Sequence, residues 1–439
     1  MKADSLWISQ KKDDVLWESK TQERKLGDQK IDVLIIGAGI AGILCAYQLK
    51  QAGICCMVVE QGEICGKVTQ NTTAKVTVQH GLVYQKILKR YGLERAKEYY
   101  MIQKRALDVY KTLVQKFPCD WEEKTAYVYT KDAVEKLEKE QDAYEKIGIP
   151  YCFQENVPLP FQTKGAIGLG HQGCFHPLRF LQALSKDLPI VSHTPVLELD
   201  GKCAKTPFGT IHADRIVLAT HFPMVNVRGL YMMKLYQHRS YVAALENGVI
   251  LPGMYVDEDK TGFSFRNYGR MLLVGGGGHR TGKAGGGYQA VYDFVQEKYP
   301  ESKIVYTWAT QDCMTLDDIP YIGVHSKGMP YLYVSTGFQK WGMTNAMAAA
   351  IVLRDCIVKG ECEYEKLFSP SRSMFHIQLP INLAVSTADF LAPGKRCSHL
   401  GCSLKWNPQE HTWDCPCHGS RFQEDGRVLD NPAKKNLKG

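Results

Sequence analysis

Apolar and polar positions follow two different rhythms along this chain. Val33 to Ile36 is a short, fully apolar run of the kind that fills a buried parallel strand. Leu44, Ala46, Tyr47 and Leu49 then repeat at helical spacing, and "CCMVVE" closes a second apolar strand at Glu60. The same rhythm returns twice. "ADRIVLATHFPM" sets an apolar strand before Ala219-Thr220-His221, and "YLYVSTGFQKWGMTNAMAAAIVLRDCI" reads as strand, glycine turn and helix. The longest apolar stretch, "AMAAAIVL", stops at Arg354, short of the 18 or so residues that cross a bilayer. The first thirty residues are polar and lack the apolar core of a secretion signal. The pattern predicts an α/β protein with no membrane span.

Composition adds size and setting. The 439 residues suffice for two or three domains, and 44% hydrophobic with 23% charged residues is ordinary for a globular chain. A net charge of +8 is mild at this length. Lys434, Lys435 and Lys438 form the nearest thing to a basic block, expected to be a solvated surface rather than a nucleic-acid site. Of fifteen cysteines, eleven are scattered before Cys397, which fits free thiols in a reducing compartment. A cytoplasmic location is expected.

Gly37, Gly39 and Gly42 stand at G-x-G-x-x-G spacing between the first strand and its helix. Gly37 permits the tight turn, Gly39 admits a pyrophosphate to the backbone, and Gly42 lets helix and sheet close together. The helix start offers free N–H groups to phosphate. Glu60, 23 residues beyond Gly37, is placed to accept from a ribose hydroxyl and would repel a 2′-phosphate. The glycines do not separate FAD from NAD. The helix beginning near Met343 or Thr344 aims its dipole at an anionic group, as reduced flavin carries.

A second glycine run, Gly275 to Gly287, tempts differently. Gly277 to Ala284 reads G-x-x-x-x-G-K-A and lacks the hydroxyl that would bind Mg²⁺. Close approach of backbone to a cofactor or substrate is expected instead, with His279 and Arg280 lining the pocket.

The tail has its own chemistry. Cys397-Ser398-His399 and Cys415-Pro416-Cys417-His418 present two thiols and two imidazoles, a set that would satisfy tetrahedral zinc. Cys402 and Cys417 are extra cysteines at fixed places in the loops, and Gly401, Pro416 and Gly419 shape tight turns. A [2Fe–2S] centre with two Cys on one iron and two His on the other uses all of these features.

The segments "IIGAGIAGILCAYQL…VVEQ", "GCFHPLRFLQAL", "HTPV", "IVLATH", "DDIPYIG" and "STGFQKWGMTNAMAAAIVL" resemble the glycine/D-amino-acid oxidase (DAO) family of FAD-dependent oxidoreductases. C-x-H-x-G-C followed by C-P-C-H-G-S resembles the Rieske family. Together they imply an α/β (α+β) fold in which a Rossmann-type FAD domain (about 30–80, 176–235 and 310–364) interleaves with a mixed-sheet substrate domain (about 146–175 and 236–309). An arm at 1–29 and a small all-β Rieske subdomain at 365–439 with a shortened base complete the chain. The DAO resemblance places Glu60 at the ribose and Val196 at the adenine. Thr73, Thr220, Gly337, Gly342, Met343 and Thr344 complete the FAD site, with Gly337 and the Gly342–Thr344 turn against the isoalloxazine. The Rieske resemblance assigns Cys397 and Cys415 to one iron and His399 and His418 to the other, with a Cys402–Cys417 disulfide and His411 as a bystander. Ser420 matches a hydroxyl that stabilises the reduced cluster, and Phe422 stands where the relatives' second, tyrosine hydroxyl would be, which implies a lower potential.

The combination implies an FAD-dependent oxidoreductase, a dehydrogenase of a small amine or amino-acid-like substrate. It would pass electrons singly through the cluster to an external acceptor protein. Reversed flow from a donor protein, and a redox-sensing role that docks a partner, are the alternatives. Arg266 and Arg280 are candidates to pair a substrate carboxylate, with Tyr241, His279 and Trp341 as pocket walls. The spacing at Cys313 does not match tethering relatives, so the FAD is expected to be non-covalent.

Overall fold

The computed structural model describes residues 2, 4–9, 28–361 and 363–438. Most of the expected N-terminal arm lies outside the described residues. Strands Cys56–Val59, Gln29–Ile36, Gly209–Leu218 and Leu332–Thr336 lie side by side and parallel. Ile190–Val191 extends one edge, and Tyr321–Val324 pairs antiparallel at the other. Val33, Leu34 and Ile35 are almost completely buried, because helices cover the sheet and leave no polar face. Helices Ile40–Gln51 and Gly342–Lys359 pack against it, the second along the small residues Ala346 and Ala348–Ala350.

A nine-stranded mixed sheet stands over this one. Its order runs Lys303–Met314, Tyr236–Glu246, Met271–Arg280, Ser264–Tyr268, Gly253–Asp257, Glu122–Thr130, Gly165–Cys174 and Lys75–Val76, with Cys152–Gln154 paired beside Gly165–Cys174. Residues 81–145, unassigned by the sequence, supply two helices and the central Glu122–Thr130 strand. The first helix, Tyr84–Leu113, breaks at Gly92, whose φ of +81° only glycine adopts freely.

The tail forms four short antiparallel strands, Lys405–Asn407, Thr412–Asp414, Arg421–Gln423 and Val428–Asp430. A helix, Gln378–Leu391, precedes the first cluster loop. Phe422 and Leu404 pack among the four cysteines as a core. Among the described residues no helix is long and apolar enough to cross a membrane.

Candidate functional site

One cavity of about 1250 Å³ lies between the two large sheets. Gly37 and Gly39 form its floor at the start of the Ile40–Gln51 helix. Gly37 sits at φ +108°, and a Cβ there would come within 2.6 Å of the Ala219 carbonyl. A Cβ on Gly42 would lie 1.9 Å from the Gly37 carbonyl. Both positions therefore need glycine, and the turn leaves a cradle that a phosphate can enter. The Glu60 carboxylate accepts from the amides of Ala38 (2.8 Å) and Gly62 (3.0 Å), which pins it at the cavity wall.

The wall carries unusual charge. Lys75 is buried near Thr73 Oγ1 (3.2 Å) and Ser264 Oγ (3.5 Å); burial, then repulsion from Arg266, pulls its ammonium down to about 7. Burial pushes Asp312 up to about 6 and pulls Lys340 down to about 8, each against the other's attraction. Asp318 bonds Lys86 (2.8 Å) and Lys260 (2.9 Å). Trp341 stacks on His80 at 5.3 Å. Gln339 and Lys340 both hold positive φ just before the Gly342–Lys359 helix, backbone strain of the kind found at sites of function.

The cluster loops form a separate buried site. Cys397 and Cys415 are buried side by side, and their interaction lowers Cys397 to about 7 and raises Cys415. His399 and His418 stand 5.1 Å apart with rings perpendicular, and the Nδ1 of each is buried without a partner. Burial pulls both imidazoles well below their ordinary value, to about 4 and about 3, so both are neutral with a lone pair to offer. Two thiols and two orphaned imidazole nitrogens fit a Rieske cluster's ligand set. Cys402 and Cys417 are disulfide-bonded across the loops. Ser420 Oγ reaches Cys397 and accepts from Ala433 N (3.0 Å). Phe422 is fully buried, and His411 is exposed outside the loops.

The two halves meet without a gap. Residues 428–435, the last strand and the segment that follows it, line the same cavity as Glu60 and Gly337. Gln237 bonds His221 (3.0 Å), a cavity-wall residue, and donates to the carbonyls of His418 and Asn431 (3.2 Å each). The Phe222 ring lies edge-on to both histidines, at 6.5 and 6.3 Å. Asn226 Oδ1 is 3.0 Å from His399 Nε2. A buried ion pair joins Arg239 to Glu410, which also holds Arg421.

The expected residues divide accordingly. Thr73, Val196, Thr220, Gly337, Gly342 and Met343 border the cavity, as do Tyr241 and Trp341. Thr344 does not; its hydroxyl donates to the Thr77 carbonyl (2.7 Å) and ties the helix to the strand. Arg280 does not line the cavity as expected: it donates to the carbonyls of Pro416 (3.0 Å) and Cys417 (3.2 Å), bracing the cluster loop. Arg266 is buried beneath the sheet, bonded to the Ala74 carbonyl and set over Trp7, away from the wall. His279 stacks on Tyr241 outside the lining, and the Tyr241 hydroxyl donates to Glu410 (2.9 Å). The second glycine run serves two contacts. Gly275, Gly276 and Gly278 border the cavity, whereas a Cβ on Gly282 would lie 2.7 Å from Pro416 and one on Gly287 2.3 Å from Gln409. Lys75, Asn226 and Gln237 carried no motif in the sequence. They are ordinary polar residues until the fold surrounds them.

The profile of the FAD dependent oxidoreductase (DAO) family matches residues 32–355, and that of the Rieske [2Fe-2S] domain matches residues 371–439. The chain belongs to the DAO family of FAD-dependent oxidoreductases and carries a C-terminal Rieske domain. Its cofactors are FAD and a Rieske-type [2Fe–2S] cluster. It is 34% identical to YhfW of Bacillus subtilis (strain 168), a protein named for a Rieske 2Fe-2S iron-sulfur centre, over 94% of this chain and 93% of that one. L-proline dehydrogenase from P. horikoshii shares the fold with a TM-score of 0.66 at 18% identity, over 79% of this chain and 98% of that one. Glycine oxidase from Geobacillus kaustophilus does so at 0.65 and 17%, over 79% and 99%.

Proposed function

We propose that this chain oxidises a small amine or amino-acid-like substrate and passes the electrons singly through its Rieske cluster to an external acceptor. The carrying observation is that residues 428–435 of the cluster domain are a wall of the same cavity that Gly37, Glu60 and Gly337 line. FAD supplies a two-electron acceptor there, and the cluster a one-electron carrier.

The chain's own residues bind and orient. Gly37 and Gly39 would admit the pyrophosphate, Glu60 would take the ribose, Val196 would flank the adenine, and Gly337 and Gly342 would hold the isoalloxazine. Solved neighbours named for proline and glycine favour a C–N substrate. An amine arrives at neutral pH as an ammonium and must lose a proton before hydride can leave the adjacent carbon. Lys75, lowered to about 7, is the wall residue suited to accept it. No arginine borders the cavity among the described residues, so a substrate carboxylate would pair with Lys340 beside Trp341.

Anaerobic mixing of the purified protein with a panel of amines and amino acids tests the substrate class. Bleaching of the flavin band by a C–N compound is expected; a flavin that none of them bleaches contradicts it.

A further inference from the structure

The helix Gln378–Leu391 is inside out. Its fully buried residues are polar, Asn382 and Asp389, at 3% and 4% exposure. Its outer face is apolar: Ile377, Ile381, Ala384, Ala388 and Leu391 recur at spacings of three and four, with Ile377 76% and Leu391 74% exposed. A surface helix normally shows the reverse, so this face is built to be covered.

The helix lies over the cluster loops. The Cys417 sulfur reaches the Ser386 carbonyl at 4.0 Å, Ser403 N donates to the Asp389 carbonyl (2.8 Å), and the half-exposed Phe390 ring packs on Gly401. Asn226, Phe222 and Gln237 pack against the histidine side of the cluster site. The first loop is the exposed side of the cluster site: Ser398 and Leu400 are exposed there and His399 is half-buried. Beside the first loop stand Lys395, Arg396 and Lys435, whose carbonyl accepts from Ser398 Oγ; all three are exposed. None has a carboxylate within ion-pair distance among the described residues, whereas Lys283 and Lys405 both pair with Asp389.

We propose that this apolar face and its ring of cations form the docking surface for an acidic one-electron carrier protein, which rests on the reading of the cluster as an electron relay. Apolar contact would hold the partner and uncompensated positive charge would steer it. A second copy fits poorly, since a two-fold contact would gather the Lys395 and Arg396 of both copies into one interface with no carboxylate between them. A lipid surface explains the apolar face but not its place over the cluster.

Calorimetric titration of an oxidised, acidic plant-type ferredoxin into the FAD- and cluster-loaded protein tests this. The same ferredoxin, once reduced, should give one electron to the oxidised cluster, itself losing one. The double variant K395E/R396E should weaken binding about tenfold at low salt, and the wild-type affinity should fall as salt rises. Ile377→Gln with Leu391→Gln should weaken binding at least several-fold while FAD and iron content stay unchanged. An affinity indifferent to both variants overturns the proposal. So does a dimer that Ile377→Gln/Leu391→Gln dissolves, or sedimentation with phosphatidylglycerol vesicles that the same variant abolishes. If substrate bleaches the flavin but never reduces the cluster, the relay reading fails while the ferredoxin result stands by itself.

Discussion

Asn226 Oδ1 lies 3.0 Å from Nε2 of His399, so a side chain of the flavin domain fixes the tautomer of a cluster-loop histidine. With the proton held at Nε2, Nδ1 keeps its lone pair for iron. The domain that takes the substrate thus helps to shape the ligand set of the electron carrier.

Removing that bond should loosen the cluster. Asn226→Leu is expected to lower iron retention against a chelator by about tenfold, the usual cost of losing a ligand's supporting contact. It should also alter the low-temperature EPR line shape of the reduced cluster. Unchanged iron retention and an unchanged spectrum would assign Asn226 to packing alone.

The Glu410 junction makes stability pH-dependent. Burial alone would raise its carboxyl, but Arg239 and Arg421 hold it below the ordinary range. A carboxyl depressed in the folded state contributes stability above its unfolded value, about 4.3, and loses that contribution as pH falls further. Glu410→Gln should cost about 3 kcal/mol at pH 7 by leaving buried guanidinium groups undercompensated. The loss should shrink below about pH 4 in urea unfolding curves.

Lys75 gives the same sign of slope in a higher pH window, but as a penalty carried by the charged form rather than as a stabilising contact. Its folded value, about 7, lies below the unfolded value of about 10.4, so the stability of the ligand-free protein rises with pH between the two. Lys75→Met should therefore stabilise the ligand-free protein at pH 7 by a few kcal/mol, roughly 1.4 for each unit of depression, and do nothing above about pH 10.4. In the loaded protein it should slow substrate bleaching and remove the limb near pH 7 from the rate profile.

Legibility in the sequence follows how narrowly chemistry restricts a residue. Only glycine tolerates the contacts at Gly37 and Gly42, and only cysteine and histidine suit iron, so these positions stood out from spacing alone. Arg280 did not, because its partners Pro416 and Cys417 lie 136 and 137 residues further along. The Glu122–Thr130 strand has mixed polarity along its length and joins its sheet through partners remote in the chain, so local pattern missed it. The Gln378–Leu391 helix carries no motif, and its meaning appears only from which side is buried.

Phe422 offers a test of tuning. Phe422→Tyr should add a hydroxyl near the cluster loops and raise the midpoint potential by roughly 40 mV, the one-electron equivalent of a hydrogen bond worth about 1 kcal/mol. Redox titration followed by EPR measures it, and an unchanged potential would mean the hydroxyl does not reach the cluster.

Rapid-freeze EPR during anaerobic reduction by a bleaching substrate tests the relay most directly. Loss of the flavin band should come first, and the reduced [2Fe–2S] signal should then appear in the same molecules with no added mediator. A cluster that stays oxidised while the flavin is fully bleached would contradict it.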